Sequence, residues 1–402
     1  MPKPEGFEFR PANENELAQV LRLGNYVFAS PPKEDDPPPA LLAEWTHCAF
    51  RGEDVAATSG GYPFLMRMNG KTVPVQGVTL VGTEPEYRRR GIVRQLITDL
   101  LHRAKDEGQA GSTLLASRGA IYQRFGYGLA HLNVGYSLDP RKAVLRDPFT
   151  DTGHIQRLGG GAARPIITEL YKHYARPRNV FTLRADMVWD RLLTQLDKDH
   201  AYCAVHFNKD STPDGYAIYE TRWVENTDHQ EMRLREFFTL DIDAYKAIWQ
   251  YLTSHDLVEK IVADDIAEDD PAPALLLEPR CLNRRTWDGQ WFRVVDAASL
   301  LAARGYDIDG RATLRIVGDD LCPWNNGTLT LAVSDHAASV STDTAKPDLS
   351  LGPNALASLV TGCYSATRLV QLGMAEVADE SSLRSIDALF GTRYRGALSF
   401  GF

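Results

Sequence analysis

The chain has 402 residues, which at about 150 residues per domain predicts two or three domains. Hydrophobic residues make up 44% and charged residues 24%, an ordinary globular composition that excludes a disordered, collagenous or low-complexity chain. With 44 basic and 53 acidic side chains the formal charge is −9, which argues against nucleic acid or anionic membrane as a partner and mildly favours a cationic ligand, besides keeping the protein in solution.

The N-terminus, Met1-Pro2-Lys3-Pro4-Glu5-Gly6, lacks the apolar core of a signal peptide, and no apolar run approaches the ~18 residues that span a bilayer. A reducing cytoplasm is the expected location. Phe7-Glu8-Phe9-Arg10 alternates as a half-buried strand does. Asn13 and Glu16 form a capping signal ahead of Leu17, Val20 and Leu21 at helical spacing. Ser30 to Pro39 is rich in proline and acid and predicts an exposed loop. Val73 to Thr83 predicts a strand interrupted by Gly77 and Gly82, where a bulge or a close ligand approach is expected. From Gly91, the residues Ile92, Val93, Leu96, Ile97, Leu100, Leu101 and Ala104 mark one helical face, with Gly108 as its stop. Thr113 to Ala116 predicts a buried strand, followed by an amphipathic turn at Ile121, Tyr122 and Phe125.

The stretch from about 139 to 165 shifts to Asp-Pro pairs, Gly159-Gly160-Gly161 and Pro165, the composition of a linker. The middle segment alternates strands and helices. The last begins near Trp291, carries a hairpin turned at Asn325-Asn326-Gly327, and ends in helical stretches around Ala355 to Leu359 and Ala375 to Leu389. The five cysteines are widely spaced, and no HxxxH or HxxEH pair occurs among the ten histidines, so neither a disulfide framework nor a metal site is expected. His47 and Cys48 are adjacent and read as packing.

The most informative stretch runs from Val78 to Arg94. A strand ends, a loop carries Arg88, Arg89, Arg90 and Gly91, and a helix begins. Free N–H groups at a helix N-terminus, the positive dipole end and nearby guanidinium groups make an anion site suited to a diphosphate. Gly91 lets backbone approach the ligand closely. Arg157-x-x-Gly160-x-Ala162 has similar spacing but falls in the expected linker, with no predicted strand before it.

Arg88-x-x-Gly91-x-Val93 resembles the acetyl-CoA motif of the GNAT superfamily of N-acetyltransferases, with valine where glycine or alanine is usual. Ile121-Tyr122-Gln123-Arg124-Phe125-Gly126-Tyr127 resembles a second signature of that superfamily. Arg88-Arg89-Arg90-Gly91, Ala116-Ser117-x-Gly119-x-Ile121-Tyr122, Trp189-Asp190-x-Leu192-Leu193, Thr286-Trp287-x-x-x-Trp291, Ala302-Ala303-Arg304-Gly305-Tyr306 and the final phenylalanine are similar to the Eis (enhanced intracellular survival) family. The resemblance implies an α/β (α+β) architecture of three domains. These are a GNAT acetyltransferase domain over 1–140, a degenerate GNAT-like domain over 155–290, and a sterol-carrier-protein-like domain over 291–402. It also implies a homo-oligomer, a hexamer.

By the same resemblance, acetyl-CoA is the co-substrate and no metal is required. Val81, Gly82 and Thr83 contact the thioester. Arg89, Arg90, Gly91, Ile92, Val93 and Arg94 hold the diphosphate, and Ser117 and Arg118 add a further contact. Tyr122 takes the general-acid position and the carboxylate of Phe402 the general-base position. The amine acceptor is a multi-amine small molecule (aminoglycoside-like or a polyamine) or a lysine. Gly401 stands where aminoglycoside-acetylating relatives place an acid, leaving Asp288 as a candidate acid. The alternatives are transfer of a longer acyl chain, or a lipid- or acyl-CoA-binding protein without catalysis.

Overall fold

The structure, a computed structural model, describes residues 3–30, 41–198, 201–342 and 344–402. Of the loop expected at Ser30 to Pro39, all but Ser30 lies outside the described residues. The chain divides into two compact units. One comprises Met1–His131, Gln290–Arg393 and Phe400–Phe402, and the other Leu132–Gly289 and Tyr394–Ser399.

The first unit opens with β1 (Glu8–Arg10), α1 (Leu17–Val27), β2 (Cys48–Arg51), β3 (Asp54–Met68) and β4 (Lys71–Thr83). It continues with α2 (Ile92–Asp106), β5 (Gly111–Leu115), α3 (Gly119–Gln123) and β6 (Gly128–Leu129). The expected cap is reciprocal. The Asn13 side chain accepts from the N–H of Asn15 (3.0 Å) and Glu16 (3.2 Å), and the Glu16 carboxylate accepts from the Asn13 N–H (2.9 Å). Ile92, Leu96, Ile97, Leu100, Leu101 and Ala104 are the buried face of α2, each Leu or Ile contributing roughly 1.5–3 kcal/mol by leaving water.

The second unit contains β7 (Leu132–Leu138), β8 (His154–Leu158), α4 (Gly160–Ala175), β9 (Phe181–Thr182), α5 (Asp186–Lys198), β10 (Ala201–Phe207) and β11 (Pro213–Trp223). Then come β12 (Gln230–Thr239), α6 (Ile242–Thr253), β13 (Val258–Ile266), α7 (Ala272–Leu275) and β14 (Arg285–Asp288). Its sheet runs β14-β7-β13-β12-β11-β10-β8, with β12 and β13 parallel. The linker expected at 139–165 is not one: it holds all of β8 and the start of α4, with Pro165 inside the helix. The glycine run and the proline mask a helical face, Ala163, Ile167, Leu170 and Tyr171, whose burial outweighs the lost hydrogen bond. Arg157-x-x-Gly160-x-Ala162 therefore does follow a strand and open a helix, contrary to expectation.

The chain then returns to the first unit with β15 (Gln290–Val294), α8 (Ala297–Ala303), β16 (Gly310–Ile316), β17 (Gly327–Ser334), β18 (Ala337–Thr342) and β19 (Leu349–Leu351). It closes with α9 (Pro353–Val360), α10 (Ala366–Gln371), β20 (Ala375–Val377) and α11 (Leu383–Phe390). β15 joins the first sheet, in the order β1-β2-β3-β4-β5-β15-β6, while a third sheet runs β18-β17-β16-β19-β20. Two local expectations change. Asn325-Asn326-Gly327 does close a hairpin, between β16 and β17, but as the end of a long 317–326 connection in which Asn325 Oδ1 is engaged by the Ala297 N–H at 2.9 Å; the tight turn is Asp335-His336, between β17 and β18, both at positive φ. The helix expected from Ala375 begins only at Leu383, because Ala375–Val377 pairs with β19 instead.

Candidate active site

β4 and β5 form a fork. They pair in parallel only at Val75, Gln76 and Gly77 against Gly111, Ser112 and Thr113, and beyond Gly77 β4 stays paired with β3 alone. The β3–β4 register then shifts between Gly60↔Thr79 and Thr58↔Gly82, a bulge in which Leu80 adopts φ +51. Its side chain packs so close to α1 that a Cβ on Gly24 would lie 2.6 Å from Leu80 Cδ2. This contact holds Leu80 in a conformation that costs a non-glycine residue about 1–2 kcal/mol. A bulge re-aims the strand that follows it, here Val81–Thr83.

The loop after β4 ends at Gly91, the residue before α2, with φ +83. No side chain caps α2 there, and no acid occupies its first turn, so the amide end is left for an anion. Val81, Gly82, Thr83, Arg88, Arg89, Gly91, Ile92, Val93, Arg94, Ser117, Arg118 and Tyr122 line one cleft of about 810 Å³, within the range of small-molecule sites. Of the expected cofactor residues Arg90 alone does not line it. Its guanidinium lies 5.6 Å from the Tyr87 ring and donates to Glu86 O at 3.2 Å. Sequence reasoning missed the Val27 and Phe28 wall, and did not assign Arg88 or Arg124 to the site. The arginines were visible in the motifs, whereas α1 reaches the cleft only through tertiary packing.

Tyr122, on α3, is 6% exposed, and burial pushes its phenol up to about 12. Tyr127 lies behind it, rings edge to face at 5.9 Å. The Tyr127 hydroxyl bonds Ser112 Oγ at 2.8 Å, which makes Tyr127 a packing residue. The C-terminus lies at the fork. The Phe402 ring meets Phe64 edge to face at 5.0 Å, and a Cβ on Gly77 would come within 3.2 Å of it. Phe402 is not a lining residue of the cleft that holds Tyr122. Asp288 stands on β14 opposite Leu132, in the second unit. In that unit the crossover from β12 to α6 differs: the Asp241 side chain accepts from the N–H groups of Asp243 and Ala244, filling the helix end with a carboxylate. The groups of His, Cys, Asp and Glu among the described residues include none that could hold a metal ion.

A parallel pair that splays after a few residues, a bulged strand and an uncapped helix N-terminus agree with the GNAT acetyltransferase fold that the sequence resemblance implies, and comparison with known families assigns that class. Two stretches, 8–130 and 181–299, match the acetyltransferase (GNAT) domain, and 297–397 matches the sterol carrier protein domain. The N-acetyltransferase Eis of Mycobacterium tuberculosis is 29% identical over 82% of this chain and 81% of its own. An uncharacterized N-acetyltransferase of Streptomyces avermitilis is 28% identical over 98% of both. The crystal structure of Eis1 from Mycobacterium abscessus superposes with a TM-score of 0.85 at 26% identity, covering 98% of this chain and all of that one. A GCN5-related N-acetyltransferase from Anabaena variabilis, at 22% identity and TM-score 0.88, shares the fold. The chain is a GNAT acetyltransferase that is similar over most of its length to the Eis N-acetyltransferases, with two GNAT domains and a sterol-carrier-like C-terminal domain.

Proposed function

We propose that the chain transfers the acetyl group of acetyl-CoA directly to an amine of a multi-amine small molecule or a lysine, with Tyr122 as general acid and the Phe402 carboxylate as general base. The observation that carries the reading is the single cleft in which the bulged strand end Val81–Thr83, the amide end of α2 and the Tyr122 side chain meet.

Arg89, Gly91, Ile92, Val93 and Arg94 hold the diphosphate, and Ser117 and Arg118 take a further part of the co-substrate. Backbone N–H at Val81–Thr83 polarises the thioester carbonyl and stabilises the negative charge that develops on its oxygen. Phe402 takes the proton of the substrate ammonium. The amine nitrogen then bonds to the carbonyl carbon, the carbon–sulfur bond breaks, Tyr122 gives its proton to the leaving thiolate, and the second proton shed by the nitrogen passes through solvent to restore the phenol. A phenol held protonated by burial suits that task. The boundaries 1–140, 155–290 and 291–402, a hexameric assembly and a cytoplasmic location belong to the same reading. No helix among the described residues is long and apolar enough to cross a membrane.

The test is thiol release from acetyl-CoA with and without a panel of aminoglycosides, polyamines and lysine peptides, with products identified by acetyl mass shift. Tyr122→Phe should lower kcat about 100-fold with acetyl-CoA affinity unchanged. Binding of acetyl-CoA with no amine-dependent release would instead indicate an acyl-CoA sensor.

A further inference from the structure

Tyr122 sits on a helix too short to hold it. α3 has five residues, and no side chain caps its N-terminus. A helix of that length has no stability of its own, so the position of the phenol has to be set from outside. The Tyr122 carbonyl accepts from the N–H of Phe125 (2.9 Å) and Tyr127 (3.3 Å), which closes the turn locally. The carbonyls of Gln123, Phe125 and Tyr127, however, are bound by side chains from far along the chain.

Asn354, at the start of α9, donates from Nδ2 to Gln123 O at 2.7 Å and to Tyr127 O at 2.8 Å, straddling the turn that follows Tyr122. Arg293, on β15, donates from Nε to Phe125 O at 3.0 Å and from Nη1 to Val294 O at 2.8 Å. Its guanidinium, 1% exposed, is paired with Asp319. Asp319 accepts in turn from the Cys322 N–H at 2.9 Å and from Asn325 Nδ2 at 3.2 Å. Gly126 makes room for this approach: at φ +83, a Cβ there would lie 2.7 Å from Arg293 Nε and 3.0 Å from Pro353 Cβ.

We propose that Asn354 and Arg293 are positioning residues for Tyr122, so that the C-terminal third of the chain aims the general acid of the N-terminal domain. The proposal rests on the assignment of Tyr122 as that acid. Neither side chain touches the reacting atoms; each fixes a backbone carbonyl beside the tyrosine. Arg293 is a poor probe, because its loss leaves Asp319 buried and unpaired. Asn354 is half-buried and uncharged, so its loss strands no buried charge.

The experiment is a double-mutant cycle in the full-length enzyme, read by steady-state thiol release and by titration of acetyl-CoA. Asn354→Ala should lower kcat about 10-fold, the scale of a small misplacement of a catalytic group, with acetyl-CoA affinity unchanged. In the Tyr122→Phe background the same substitution should cost less than about 2-fold, since no acid is left to misplace. An equal loss in both backgrounds, or an unchanged kcat in Asn354→Ala, overturns the proposal. Should Asn354→Ala unfold the protein, Asn354→Ser keeps a short donor and is read through the same cycle. Tyr122→Phe by itself separates the two ideas: full activity there removes the acid assignment, whereas a 100-fold loss there alongside an inert Asn354→Ala removes only the positioning role.

Discussion

Two tyrosines five residues apart behave differently because of what surrounds each hydroxyl. Tyr127 is fully buried and bonded to Ser112. Tyr122 lines the cleft. Burial favours the neutral phenol, so its value rises to about 12 from the ordinary 10. The sign matters for kinetics. A general acid works in its protonated form, and a raised value keeps that form populated through neutral and alkaline pH. With a substrate amine that must lose a proton, kcat should rise from the acid side and then stay level up to about pH 10. A kcat–pH profile between 6 and 10 checks this, and a descending alkaline limb near pH 9 would contradict the assigned environment of Tyr122. The spacing Tyr122–Tyr127 was legible in the sequence. Which hydroxyl meets Ser112 was not, because Ser112 lies on another strand.

At the scale of elements, the junction of β4 and α2 shows two separate uses of glycine. Gly91 is required for its backbone: at φ +83 the nearest atom to an added Cβ is Pro4 Cγ at 4.0 Å, so space is open and only conformation is restrictive. Gly91→Val should therefore strain the N-terminus of α2 by about 1–2 kcal/mol and weaken acetyl-CoA binding roughly 10-fold, with Tyr122 chemistry in the bound complex unchanged. Calorimetric titration beside kcat at saturating acetyl-CoA separates these outcomes. Gly77 and Gly82 are required for closeness instead, Gly77 against Phe64 and Phe402, and Gly82 against Val27 at 3.0 Å. The two glycines marked an irregular strand correctly. The residue that takes the unusual dihedral is Leu80, between them, since the bulge is fixed by register with β3 and by packing on Gly24. Pattern reading fails in the same way at α4, where glycine and proline hide a helix that burial stabilises.

At the scale of the molecule, the first unit gathers both ends of the chain. β15 pairs with β5 and β6, completing the first sheet from residues 290–294. Phe402 reaches Phe64 and the fork at Gly77. The chain end is thus a site residue rather than a frayed tail in the proposed mechanism. A few residues added after Phe402 should abolish turnover, because they replace the carboxylate by an amide, while the melting temperature and acetyl-CoA affinity stay near those of the parent. Turnover in the extended enzyme would remove Phe402 from the mechanism.

The sequence alone determined what depends on neighbours a few residues apart: the amphipathic α2, the Asn13–Glu16 cap, and the arginine–glycine junction that leaves a helix end open. Those features follow from backbone periodicity and local hydrogen bonding, which a linear pattern encodes. Only the tertiary structure decided the Leu80 bulge, the turning away of Arg90, the insertion of β15, and the meeting of Asn354 with the turn after Tyr122. Each of these depends on contacts whose partners are set by sheet register and core packing, and neither is written at any one stretch of the chain.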